Sequence, residues 1–278
     1  MVKTEIFIAT RKRLKLSQVA LSAGICTQAT LSKFEKHQQI PTIDIMGALC
    51  ARLGLTLDDI FSLSPPMQSQ VNQGWAELLA AFGHQNQPAF HRLSQSLMTE
   101  TLTVPMVIDL MLMRYFAAVW WQHDLRFAAQ LIGEIDLKLA SAQQQYLFYA
   151  ITVHYYVKQH QDDLAAATYH DLMQRQARWV KAPYGVLMGA VVYLMAQYQF
   201  DVGEMTAATE TAAIGITAAQ KHDSTAFVEN FFWLLYAAGK GWQQPQFVRQ
   251  EVLLNARLLA KLHGNNQLLQ LMQQRGEK

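Results

Sequence analysis

The 278 residues carry 23 Lys/Arg against 21 Asp/Glu, a net charge of +2, with 51% hydrophobic and only 16% charged side chains. Fourteen Gly and seven Pro are few for this length; that argues for long helices rather than strands and turns, and the apolar content excludes disorder of the chain as a whole. Cys26 and Cys50 are too few for a disulfide framework or a four-ligand zinc site, and they read as reduced packing residues of a cytoplasmic protein.

Charge divides unevenly along the chain. Residues 1–63 hold eight Lys/Arg and five acids, whereas residues 64–278 are close to neutral. A small basic head on a helical mass suggests a polyanion partner. The head reads as short helices in series. The first spans residues 3–14. Ser17 is an N-cap for a second that ends at Gly24, a residue free to adopt the left-handed conformation. Thr27 caps a third over 28–36, with Leu31 and Phe34 on its inner side. Pro41-Thr42 opens a fourth carrying Ile43, Met46, Leu49, Cys50 and Leu53 at helical spacing. Thr56 caps the last, over 57–63. Pro65-Pro66 then ends the run, giving a head at 1–63, a linker at 64–66 and a second domain at 67–278.

The stretch Leu16-Ser-Gln-Val-Ala-Leu-Ser-Ala-Gly-Ile-Cys-Thr-Gln-Ala-Thr-Leu-Ser-Lys-Phe-Glu35 resembles the helix-turn-helix of the Cro/C1-type (XRE) repressors. Ile40-Pro-Thr-Ile-Asp-Ile-Met and Leu53-Gly-Leu-Thr-Leu-Asp-Asp-Ile-Phe61 match that family's closing helices. With Ile25-Cys26-Thr27-Gln28 at the turn, the version is similar to peptide-sensing regulators of the Rgg/PlcR kind. One departure is Ile25, where the family usually has Gly. The resemblance implies a five-helix lambda-repressor-like domain that binds double-stranded DNA, and an internal ion pair between Arg11 and Glu35.

The side chains expected at DNA are Gln18, Thr27, Gln28, Ala29, Thr30, Ser32, Lys33 and Lys36. Gln18 and Thr27 suit phosphates near free backbone N–H groups. Gln28, Ala29 and Ser32 point away from the Leu31/Phe34 side; Gln pairs with adenine and Ala touches a thymine methyl. The bland reading, solvated surface, stands beside each, most of all for Lys36.

Residues 67–278 read as helices at 67–83, 87–100, 104–121, 124–138, 141–159, 162–180, 183–200, 202–221, 224–241, 245–263 and 265–275. The first helices of successive pairs start at 67, 104, 141, 183 and 224, close to the period of a tetratricopeptide-like solenoid, though without its consensus signature. The fold class is therefore all-α, a helix-turn-helix head followed by a degenerate TPR-like solenoid. Residues 104–121 and 184–200 are apolar enough to require a membrane check. The first contains Asp109 and Arg114 and the second Gln197 and Gln199, so both read as buried helices and no membrane partner is expected. The N-terminus shows no secretory pattern: Glu5 comes early, and basic residues follow rather than precede the apolar stretch.

In such a stack the first helix of each pair lies on the concave side. These helices are rich in aromatic and aliphatic residues, which suits an extended apolar peptide. The resemblance implies that asparagines there hold the peptide backbone. Asn230 is the best match, with Arg114, Tyr193 and Gln197 as further candidates. The alternatives are a core role for the tyrosines, a helix tie for Asn230 and a structural charge pair between Arg114 and Asp109. No phosphate loop, Gly-x-Ser-x-Gly elbow or His-Glu-x-x-His helix occurs, so neither catalysis nor a cofactor or metal is expected. The sequence thus points to a cytoplasmic, homodimeric transcription regulator that reads an inverted repeat through residues 27–33 under control of a short signalling peptide. A protein-interaction scaffold and a small-molecule-sensing regulator are the rival readings.

Overall fold

The computed structural model describes residues 3–37, 39–61, 66–175, 184–239 and 246–275. The chain divides into two compact units, Met1–Asn72 and Gln73–Lys278. The expected linker falls almost entirely outside the described residues.

In the first unit α1 (Thr4–Arg13), α2 (Gln18–Ser22), α3 (Gln28–His37), α4 (Ile43–Leu53) and α5 (Leu57–Ile60) enclose one core. Their ends are set by local chemistry. Ser17 Oγ accepts from the Ala20 N–H at the start of α2, and Thr56 and Asp59 cap α5 reciprocally. Gly24 and Gly54 turn the chain at φ +74° and +68°, conformations that cost other residues dearly. Phe7, Leu21, Leu31, Phe34, Met46, Leu49, Cys50, Leu53 and Ile60 form the core, with Phe7 edge-on to Phe34 at 5.2 Å. Cys26 and Cys50 are free thiols, and burial pushes both up from the usual thiol range.

Helix α6 (Pro66–Gly83) leads into the second unit. There α7 (Gln87–Leu97), α8 (Val104–Ala117), α9 (Leu125–Glu134), α10 (Ala142–Lys158) and α11 (Asp162–Gln174) follow in antiparallel order. After the undescribed residues 176–183 come α12 (Val186–Asp201), α13 (Met205–Lys221), α14 (Val228–Ala238), α15 (Gln246–His263) and α16 (Asn266–Gln274). Each helix packs on its successor within a pair, while α8, α10, α12 and α14 touch one another in sequence and form the inner layer.

Most of the apolar richness of that layer goes into the core rather than into a groove. Helix α12 buries eleven of its residues, from Met188 to Gln199. Residues 104–122 are long and apolar enough to cross a membrane by length and composition, but Leu112, Met113, Tyr115 and Phe116 are sealed inside the unit, as expected for a core helix.

Several boundaries depart from the sequence expectation, among them the end of α7 at Leu97 rather than 100 and the start of α13 at Met205 rather than 202, and three departures have a visible local cause. Helix α8 does not run through evenly: Ala118–Gln122 form a π-helical turn, in which Trp120 meets His154 and Tyr193 while Trp121 meets Phe82 and Phe90. Helix α9 stops at Glu134, four residues early, because Asp136 Oδ1 takes the Lys138 N–H in a turn. Helix α14 starts at Val228 rather than 224, because Phe227 takes a left-handed φ of +61°. A bulky side chain rarely adopts that conformation. It is held by a bond from its N–H to Gly83 O at 2.7 Å and by a wholly buried ring against Phe82 and Phe116.

The stack also curls back on itself. A Cβ on Gly83 would sit 2.8 Å from Ala226 Cβ, so only glycine permits the end of α6 to meet the start of α14 this closely. Asn86 Nδ2 donates to His263 O, and Gln87 Nε2 to Gln267 Oε1. The turn after α6 thereby touches the turn between α15 and α16, some 180 residues on.

Candidate functional site

In the first unit a bidentate ion pair joins α1 to α3: Arg11 Nε donates to Glu35 Oε1 at 2.7 Å and Nη2 to Oε2 at 2.8 Å. This is the pair implied by the resemblance. Arg11 Nη1 also reaches Leu16 O, fixing the chain just before α2. Glu35 Oε2 takes a further bond from Gln18 Nε2 at 2.8 Å, and Gln18 Oε1 accepts from Gln28 Nε2 at 2.8 Å. The relay Arg11–Glu35–Gln18–Gln28 therefore runs from the half-buried ion pair to the exposed first turn of α3.

Each step places a side chain. Gln18 is half-buried and spends an N–H and its oxygen on neighbours, so it orients Gln28 as well as facing outward itself. Among the described residues Gln28 keeps one N–H and its carbonyl oxygen free. Thr27 Oγ1 accepts the Thr30 N–H at 3.2 Å and lies 2.8 Å from Thr30 Oγ1, so both hydroxyls first serve the helix cap. Ala29, Lys33 and Lys36 are exposed and Ser32 is half-buried on α3. Arg52 braces the exit of α2 from behind, donating to Leu21 O and Ala23 O. The eight residues expected at DNA thus belong to α2 and α3 or to the cap of α3. Exposed N–H donors and two lysines on one helix beside its free N-terminal amides form a surface suited to phosphates and base edges.

A second candidate lies in the second unit, a cavity of about 430 Å3. Tyr193, Gln197 and Asn230 line it, so three of the four residues expected there come together. Arg114 does not join them. It borders another cleft with Phe90, His91 and Phe127, its guanidinium 5.1 Å from the Phe127 ring centre. Nor does Arg114 pair with Asp109, whose Oδ1 accepts from Gln144 Nε2 at 2.7 Å. Five residues apart on a helix, the two side chains diverge by more than a quarter turn.

Residues that the sequence did not reveal complete the cavity: Gln85, Trp120, Lys158, Trp233, Asn265 and Arg275. They come from α8's π turn, from α10 and α14, from the turn after α6, and from α16 and the turn preceding it. At the floor Tyr193 stacks on Phe227 at 5.4 Å and meets Trp120 edge-on at 5.8 Å. Burial drives its hydroxyl well above the usual phenol range, with Gln85, Trp120 and Asn230 nearby easing this only in part. Gln85 Oε1 accepts from Trp121 Nε1 at 3.3 Å, while its Nε2, sealed from solvent, reaches no acceptor in hydrogen-bonding geometry.

Asn230 has two duties. Its Oδ1 accepts from Asn265 Nδ2 at 3.3 Å, tying α14 to the turn before α16, and it still borders the cavity. Asp201 receives Gln197 Nε2 at 2.8 Å. Burial raises the Asp201 carboxyl, opposed by that bond and by the nearby charges of Lys158 and Arg275. A floor of amides and a buried phenol, walls of indole and leucine, and cations at the rim can accommodate a chain with apolar side groups and a polar backbone.

The helix-turn-helix family model matches residues 8–60, so this stretch, from within α1 through α5, is a helix-turn-helix domain. No curated protein matches the sequence. Solved structures share the fold over nearly the full length. One is Bacillus thuringiensis PlcR in complex with the peptide PapR7 and DNA, at 13% identity and a TM-score of 0.59, covering 98% of this chain and 97% of that one. Another is ComR from S. thermophilus in complex with DNA and its signalling peptide ComS, at 11% identity and a TM-score of 0.61, with the same coverage. The likeness establishes an all-α fold of helix-turn-helix head and helical-repeat body.

Proposed function

We propose that this chain is a cytoplasmic, sequence-specific DNA-binding transcription regulator whose operator affinity is set by a short peptide bound in the cavity of the second unit. The observation that carries the reading is the relay from Arg11 to Gln28, which holds an exposed glutamine at the first turn of α3 in the geometry a base-reading helix needs. The solved structures of the same fold hold DNA and a peptide together, which supports assigning both partners to this chain. The cavity's mixture of indoles, amides and a buried phenol fits a peptide better than a rigid small molecule.

Reading an inverted repeat requires two heads, so the active species is a homodimer. Operator binding by two α3 helices, each contributing Gln28, Ala29, Ser32 and Lys33, gives the specificity, while Lys36 and the cap residues Thr27 and Thr30 fix the register on phosphates. Nothing in this reading calls for catalysis.

The test is selection of genomic DNA fragments on the purified full chain at physiological salt, followed by sequencing. A short palindromic consensus that is lost on Gln28→Ala supports the reading. An unenriched pool, with and without peptides from culture supernatant, overturns it.

A further inference from the structure

Resting on the peptide reading above, we infer that the cavity selects peptides that present a carboxylate, held at the rim by Lys158 and Arg275.

Among the described residues the rim carries more positive than negative charge. Lys158, at the last turn of α10, and Arg275, just past α16, both act on Asp201. Neither forms an ion pair among the described residues. Asp201 is already engaged by Gln197 at 2.8 Å. Among the described residues, two exposed cations facing one carboxylate leave a net positive charge at the mouth of a concave site lined by amides, indoles and leucines.

Their geometry is suited to a guest. The Lys158 ammonium lies 5.9 Å from the Trp120 ring centre, and the Arg275 guanidinium 5.8 and 5.6 Å from those of Phe200 and Trp233. Stacking on rings restrains both side chains while leaving their N–H groups free to donate. Below them the Gln85 amide lies at the cavity wall, its Nε2 sealed from solvent and near the Tyr193 hydroxyl. The cavity therefore offers, from rim to floor, cations for a carboxylate, the indoles of Trp120 and Trp233 for an apolar side chain, and the amide side chains of Gln197 and Asn230 beside a peptide backbone.

The carboxylate can come from the peptide's C-terminus or from an Asp/Glu side chain. The test separates these sources with three pools of random synthetic heptapeptides: free acids lacking Asp and Glu, C-terminal amides containing Asp and Glu, and C-terminal amides lacking both. Each pool is incubated with the full-length protein, separated by size exclusion, and the retained peptides are counted by mass spectrometry.

At least one carboxylate-bearing pool is expected to be retained about ten-fold over the neutral amides, the scale of one or two charge-assisted hydrogen bonds. Which pool it is names the source. In Lys158→Gln and Arg275→Gln, both changes at exposed positions, that preference shrinks while peptides from the neutral pool are still retained. Equal retention of all three pools overturns the carboxylate assignment and leaves the peptide reading intact. Retention of none overturns both. A preference that persists in the doubly substituted chain also overturns the role given to these two cations.

Discussion

Gln28 Nε2 donates to Gln18 Oε1 at 2.8 Å, joining the first residue of α3 to the first residue of α2 across the turn between them. The bond is exposed and supports no core residue, so its value lies in orientation. Gln28→Ala is expected to change global stability by no more than about 0.5 kcal/mol. The same change should weaken binding to the selected operator by about 1–3 kcal/mol. Fluorescence anisotropy on the operator, paired with a thermal melt, reads both quantities. Unchanged affinity would remove Gln28 from the base-reading set.

Glu35 is the other end of that relay, and its loss has a different signature. Its side chain is 5% exposed and accepts from Arg11 twice and from Gln18 once. Glu35→Ala strands a largely buried guanidinium and frees Gln18, so stability of the first unit falls by about 2–3 kcal/mol and operator affinity falls with it. Arg11→Ala is expected to behave alike. A double-mutant cycle between the two positions measures the coupling; additive effects would show that the pair does not act as a unit.

What could be read from the sequence was local. Ser17, Gly24 and Thr56 bound helices through their own backbone geometry or hydrogen bonds a few residues away, so their types announced the elements of the head. Helix periodicity likewise gave the pairing of the second unit. The cavity was hidden because it is made by closure: Gln85, Lys158 and Arg275 meet only when the turn after α6 folds back onto α14 and α16. No spacing records such a contact. Arg114 lies apart from this cavity, since a place on an inner helix does not by itself say which cleft a side chain borders. Trp120 reaches the cavity from the π turn at 118–122, which helical periodicity in the sequence does not announce.

Acid should destabilise the second unit. His154 is buried, donates from Nε2 to Leu194 O at 2.8 Å, and burial pushes it down to about 4. His84 is lowered too, first by burial and then by the neighbouring His263, against the pull of Glu229. In the unfolded chain both titrate near the ordinary value of about 6.5. The unfolded state therefore binds more protons between pH 6.5 and 4, and stability is lost as pH falls through that window. For His154 alone the loss by pH 5 is about 2 kcal/mol. Denaturant melts at pH 7 and 5 measure it. His154→Gln, which keeps an N–H donor without a titrating ring, should flatten the profile, and an unaltered slope would refute the assignment.

Two glycines inside helices should respond oppositely to alanine. Gly47, mid-way along α4, has open space where a Cβ would stand, so Gly47→Ala gains helix propensity and stabilises by about 0.5–1 kcal/mol. Gly215 lies in α13 under the ring of Phe231, whose Cζ would be 2.5 Å from the new Cβ. Phe231 is wholly buried and cannot yield. Gly215→Ala is therefore expected to cost about 1–3 kcal/mol through overpacking, more than the propensity gain. Thermal melts of the two variants settle the contrast; a stabilising Gly215→Ala would mean that α13 and α14 can separate freely.

Glu229 links stability to the ligand cavity. It is fully buried at the start of α14, accepts from His263 Nδ1 at 3.0 Å and from Asn265 Nδ2 at 3.3 Å, and so clamps the turn that carries α16. His263 in turn stacks on His84 at 3.7 Å, engaging the turn after α6. Helix α16 packs Leu268 and Met272 against Trp233 and supplies the cavity's outer wall. Glu229→Ala removes one acceptor that serves two elements, which should cost about 2–3 kcal/mol. Because α16 is the last element of the chain described, the loosening falls mainly there. Amide hydrogen exchange should quicken in residues 266–274 before it does in α10 or α12, with the Trp233 emission shifting to the red as its cover lifts. Glu229→Gln retains one carbonyl acceptor and should sit between the two. Uniform exchange across the second unit would show instead that the clamp supports the whole stack and not the cavity wall in particular.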